Sequence, residues 1–282
     1  MLEPTAPLRR SVVALAASGL VLTALVLAGC QQRETQAPVD ATPVKTETPK
    51  VTVGPPPTLD RAALLQAMDV AASAYAAGQA PGGASLAGRR FALKQAFGCI
   101  GPTPPRGEDA AGDGLGHWSW GEQRKSMELR LAPGDWSESP LIAGGADSWE
   151  AAEGFWLARP WLRADGCPGV EGDPLASGPA APSPQTAGLA AVFEEGGSRL
   201  GRRNGRAYSF VVRGEGDQPP PTPTGGYRLV LEGRLTAFAD GNAIRCRASS
   251  PEQRPVCIAA AQVDRVAFED ASGAVLSEWR PG

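Results

Sequence analysis

The chain has 282 residues, with 27 Lys and Arg against 30 Asp and Glu, a formal charge of −3; without a basic excess it lacks the electrostatic footprint of a nucleic-acid binder. Its one histidine excludes an H-E-x-x-H metalloprotease, and any Ser-His-Asp or Cys-His mechanism would have to run through His117. With 35 glycines and 27 prolines, the composition favours turns and short strands over long helices.

Arg9 and Arg10 precede a mostly apolar run, 11–28, that ends in Leu27-Ala28-Gly29-Cys30. A basic start, an apolar stretch and small residues at its end make a secretory signal. This one resembles the lipobox signal of bacterial lipoproteins. The resemblance is confined to residues 1–30. It implies cleavage before Cys30, a diacylglyceryl thioether on its sulfur and acylation of its new amino group. Each buried CH₂ contributes about 0.8 kcal/mol, and two or more chains anchor stably. In Gram-negative lipoproteins an aspartate after the cysteine favours the inner membrane; Gln31 therefore implies the periplasmic face of the outer membrane. In a Gram-positive host the same anchor would hold the cell membrane. The rival reading is an uncleaved transmembrane anchor, for which 11–28 is near the lower length limit.

Residues 31–57 hold six prolines, five threonines and no aromatic residue, ending in Pro55-Pro56-Pro57. Such a segment buries too little to offset its ordering entropy. Residues 30–57 therefore read as a lipidated cysteine with a disordered Pro/Thr-rich tether, and 58–282 as the exported domain. Thr58 is placed to cap a helix from Leu59, with Asp60 in its first turn. Leu65, Met68, Ala72 and Tyr75 form one apolar stripe, which Gly78 and Pro81-Gly82-Gly83 terminate. This is the one helix expected in the mature chain.

From Arg89 the pattern changes to short strands. Phe91 and Leu93 lead toward Cys99, and 118–120 and 127–131 read as two strands joined by a short connection. Phe155-Trp156-Leu157 sits in another strand before Pro160. Residues 172–188 are a Pro/Ala/Ser-rich loop, either a surface excursion or a boundary between subdomains 58–175 and 188–282. Beyond it, 189–193 and 207–212 flank Asn204-Gly205, a hairpin signal. Tyr227, Leu229, Leu231 and Leu235 share one parity, interrupted by Gly233, and Asp240-Gly241 turns the chain into Ile244 and Cys246. Between Cys257 and Phe268 the apolar parity shifts by one, marking a bulge near Asp264 or Arg265. Ser272-Gly273 turns into a last strand over 275–279. The expected class is mainly β: a curved antiparallel sheet or small barrels with one N-terminal helix, resembling an OB-type barrel in architecture.

Apart from Cys30, the cysteines are Cys99, Cys167, Cys246 and Cys257, an even set that predicts two disulfides in an exported protein. Of the three pairings, Cys246–Cys257 is favoured because strand, loop and returning strand bring close neighbours together, which leaves Cys99–Cys167. Gaps of 68, 79 and 11 residues lack the close pairs of a Cys₄ zinc site, so neither metal nor cofactor is expected. There is no G-x-S-x-G elbow and no phosphate-cradling glycine loop, and no catalytic residue is assigned; His117 reads as a surface or hairpin-edge residue.

Asp135, Glu150, Glu153, Glu194 and Glu195 would serve a two-carboxylate glycan hydrolase at a suitable separation. Six of the seven tryptophans fall between 118 and 161. Trp118 and Trp120, on one face of a strand, are the candidate ligand surface for sugar rings; the competing use is core volume. Arg199, Arg202, Arg203 and Arg206 gather about Asn204-Gly205, as a solvated tip or as a site for phosphate-bearing lipid or an acidic partner. The expected function is a membrane-anchored envelope lipoprotein with a non-catalytic interaction or accessory role, its partner an envelope protein or glycan and not nucleic acid. A tryptophan-based glycan-binding module and a carboxylate-based glycan hydrolase are the alternatives.

Overall fold

Leu59 enters the fold as a strand residue before any helix begins. Its N–H donates to the Arg90 carbonyl at 2.9 Å, and its own carbonyl accepts from Ala92. That fixes extended backbone through Leu59, so the cap is Asp60 rather than Thr58: the Asp60 carboxylate accepts the Ala63 N–H at 2.8 Å. The helix α1 spans Arg61–Ala76 and buries Leu64, Leu65, Met68 and Ala71, whereas Tyr75 is half exposed and accepts the Ala248 N–H. The structure is a computed structural model that describes residues 56–80, 84–107, 110–142, 149–168, 184–216 and 218–281. The signal segment, Cys30, nearly all of the tether and 172–183 lie outside the described residues.

The class is mainly β with one helix. Eleven strands follow: β1 (Arg90–Phe97), β2 (Gly116–Trp120), β3 (Ser126–Leu131), β4 (Gly134–Asp135), β5 (Trp149–Trp156), β6 (Ala187–Glu194), β7 (Tyr208–Arg213), β8 (Tyr227–Leu235), β9 (Ile244–Arg247), β10 (Val256–Glu269) and β11 (Val275–Trp279). The larger sheet runs β1-β8-β10-β6-β5-β4, with β9 and β11 also on β10; the smaller is β2-β3-β7. Among the described residues the strands do not close into a barrel. Among the described residues one pair of named strands is parallel, β10 with β6, from Cys257 opposite Ala187 to Ala261 opposite Ala191, and Leu59 makes a parallel bridge to Phe91. Strands on either side of 172–188 pair directly, β1 with β8 and β5 with β6, and Gly54–Gly282 forms one compact unit.

The β2–β3 pair forms as expected, but the Asn204-Gly205 hairpin does not. Asn204 and Gly205 do turn, at φ 53° and 80°, yet the strands before and after belong to different sheets. β6 is buried on both faces and needs a partner on each side, which β5 and β10 supply. β7 alternates buried and exposed residues and closes an edge beside β3.

Trp118 and Trp120 share a face, their rings 5.4 Å apart, but that face is the inside. Trp118 is 1% exposed and packs against Tyr227 within a core that joins both sheets and α1. The expected ligand surface at Trp118 and Trp120 is therefore corrected to core packing. The smaller sheet covers the larger, and bulky rings fill the space between them. Two disulfides are formed. Cys246 and Cys257 are directly opposed on β9 and β10, with Cα atoms 4.1 Å apart. Cys99–Cys167 ties the end of β1 to the chain beyond β5.

β10 is the spine. Its first half lies between β9 and β6, its second between β8 and β11. The register jumps between Val263 and Arg265, leaving Asp264 as the bulge. Gly233 lies opposite Val263, and a Cβ there would fall 2.0 Å from the Gln262 carbonyl oxygen. On the β6 side, pairing stops at Ala261 and resumes with β11 only at Val266. Among the described residues, 262–265 thus have no strand neighbour on that side. The sheet is split there.

A candidate binding cleft at the split in the sheet

At the split lies an open cleft of about 820 Å³. Residues 262–266 of β10 are its floor, the ends of β5 and β6 one wall, and Trp279 at the end of β11 with Arg280 and Pro281 the other. The loop that carries the chain from β6 to β7 reaches across, placing Gly201 against Pro281.

Glu153, on β5, faces this cleft and is 7% exposed. Its Oε1 accepts the backbone N–H groups of Arg203 and Asn204 at 2.7 and 2.8 Å, so the Asn204 turn closes down on a buried carboxylate. Oε2 makes no hydrogen bond among the described residues. Burial raises the Glu153 pKa above the ordinary carboxylate value, and the two N–H donors with Arg202 and Arg203 offset only part of the effect. Tyr208, at the start of β7, is pushed up to about 12 by burial and by nearby Glu153, with Arg203 opposing.

The arginines differ in what they already hold. Arg199 and Arg202 both pair with Glu150, at 2.9 and 2.8 Å. Arg203 lies over the Tyr208 ring at 4.6 Å and donates to the carbonyls of Arg206 and Ala207. Arg265, buried in β10, bonds Glu278 at 2.9 Å and Glu232 at 2.7 Å. Burial by itself would lower its pKa, but these two carboxylates outweigh burial and raise it. Arg280 joins the same Glu278. Arg206 donates to the Arg203 carbonyl and makes no ion pair among the described residues. The aromatic lining comes from Trp279, which stands edge-on to Tyr208 at 5.2 Å, and from Phe193 and Phe155.

Of the acidic residues named from the sequence, Glu153 and Glu194 line the cleft and Glu150 anchors its arginines. Asp135 lies opposite Glu153 on β4, where Ser137 holds its carboxyl below the usual range. Glu195 does not line the cleft. The tryptophans of 118–161 are elsewhere: Trp136 packs on Trp156 at 4.6 Å, Trp149 on Phe238, and Trp161 is exposed. Sequence reasoning assigned no role to Arg265, Glu278, Trp279 or Tyr208. The usable signal was an arginine at the bulge of an otherwise apolar strand.

His117 is apart from the cleft. Its Nε2 donates to Asp113 Oδ2 at 2.7 Å, and Arg106 reaches the same oxygen at 2.8 Å. Burial alone would raise the Asp113 pKa, but His117, the Leu115 N–H and Arg106 hold it below the ordinary value. No serine or cysteine side chain bonds His117 among the described residues. Nor, among them, is any group of three or more His, Cys, Asp or Glu placed to hold a metal ion, or any helix long and apolar enough to cross a membrane. Comparison with known proteins finds no matching family model, no matching curated protein and no matching solved structure.

Proposed function

We propose that this chain is a lipid-anchored envelope protein whose folded domain holds a ligand in the cleft, in a binding rather than a catalytic role. The anchor part rests on Leu27-Ala28-Gly29-Cys30 and its resemblance to a lipobox. The binding part rests on one observation: the main sheet is interrupted where two charged side chains, Glu153 and Arg265, are buried at 7% and 8% exposure. Burial of charge costs free energy; Glu278 and Glu232 offset it at Arg265, whereas at Glu153 it is only partly compensated. A sheet that breaks its own ladder around such groups is arranged for something other than packing.

A photo-crosslinking residue at Leu200, which lines the cleft and is 62% exposed, tests this in cells against the same residue at Val70 on α1, which is 59% exposed. A discrete adduct from position 200 and none from position 70 is the expected result. No adduct at 200, or the same pattern at both, overturns the binding reading. Cleavage of the captured molecule by the purified protein overturns its non-catalytic part.

A further inference from the structure

The cleft reading leaves the ligand's chemistry open, and the lining narrows it. Five arginines (202, 203, 206, 265 and 280) face four carboxylates (Glu153, Glu194, Asp264 and Glu278). A polyanion would meet those carboxylates at close range, so the near balance of charge disfavours polyphosphates and nucleic acid. A ligand with many hydroxyls suits it, because each hydroxyl both donates and accepts.

Among the described residues, two groups keep bonding capacity that the protein does not use. Glu153 is more than nine-tenths buried, and its Oε2 lacks any hydrogen-bond partner among the described residues while the residue lines the cleft. That oxygen is therefore free to accept a hydrogen bond from a ligand in the cleft. Arg206, whose Nε donates to the Arg203 carbonyl, is the cleft guanidinium with neither an ion pair nor a ring beneath it among the described residues. The partly exposed Trp279 ring stands in the same lining, and aromatic rings suit the apolar faces of pyranoses.

Resting on the binding-cleft reading, we infer that the cleft takes an acidic saccharide: hydroxyls donate to Glu153 Oε2, a sugar face lies on Trp279, and a carboxylate substituent meets Arg206. Arg206 then sets the preference for acidic over neutral sugars, and Glu153 contributes to both.

The test titrates the full-length protein in detergent micelles with two probes. One is the disaccharide of N-acetylglucosamine and N-acetylmuramic acid; the other is chitobiose, the same ring pair without the lactyl carboxylate. The acidic disaccharide should bind about tenfold tighter, the usual scale of one charge-assisted contact. Arg206→Ala, at an exposed side chain, should bring that ratio to about one, and Glu153→Gln should weaken both sugars by about tenfold. Equal affinities in the unsubstituted protein, binding of neither probe, or an unchanged ratio in Arg206→Ala overturns the inference. If neither probe binds while position 200 still yields its adduct, the saccharide is wrong and the cleft reading stands. If the adduct is absent too, both fall.

Discussion

Glu153 is held in the ionised form by two backbone N–H donors and pushed toward the neutral form by burial, and burial wins. Its folded-state pKa is above the ordinary value of 4.5. The folded protein therefore binds the more protons in the window from 4.5 up to the raised value, and stability falls as pH rises through that window. The loss persists at neutral pH. Glu153→Gln keeps an oxygen for both N–H donors and removes the charge. It should flatten the pH dependence above about 4.5 and raise stability near neutrality, because it removes the charge that burial disfavours. Urea midpoints of both proteins across that range check this; a less stable Gln variant near neutrality would contradict it. Stability gained with ligand affinity lost is the pattern expected of a residue kept for function. The same scale shows what a strand pattern conveys. Alternation put Trp118 and Trp120 on one face. It carried no information on whether a second sheet covers that face, because burial of β2 depends on β8 and β10, more than a hundred residues away.

Among the elements, the two disulfides differ in what they restrain. Cys246–Cys257 closes 11 residues between strands already paired in register. Cys99–Cys167 closes 68 and clamps the end of β1 to the chain beyond β5, where no strand pairing among the described residues does so. Loop-closure entropy is worth about 3 kcal/mol for the shorter and about 4 kcal/mol for the longer. Replacing both cysteines of each pair by serine should therefore destabilise more at Cys99 and Cys167, as read by urea unfolding in oxidising buffer; the reverse order would refute this view of the clamp. The pairing itself was legible, because Cys246 and Cys257 flank a turn. The bulge at Asp264 was legible too, since a change of parity has a direct geometric meaning. The parallel β6–β10 pair was not. Both strands read as apolar runs, and such a run shows that a strand is central without showing its partner or direction. Asn204-Gly205 misled for a related reason: the local turn is real, and the flanking strands have stronger partners elsewhere.

The cleft could not be read in advance because it draws on β5, the loop after β6, the bulge of β10 and the end of β11, which meet only when β10 assembles the sheet. The Leu27-Ala28-Gly29-Cys30 motif, by contrast, is contiguous in the sequence. Arg89 donates to the Pro57 carbonyl at 2.6 Å, which fixes where the chain enters the domain. From there Leu59, Phe91, Gly233 and Val263 form one row across the sheet, ending on the cleft floor. At about 4.8 Å per strand, the row spans about 14 Å. The chain thus enters the domain three strand spacings from the cleft floor. Cys30→Ala should abolish incorporation of labelled palmitate and leave a precursor that retains residues 1–29, because lipidation precedes cleavage in the signal this one resembles. Continued labelling of Cys30→Ala would remove the lipid from Cys30. An unlabelled product cleaved at the same point would make residues 1–29 an ordinary secretory signal, and the proposed anchor would fall with it.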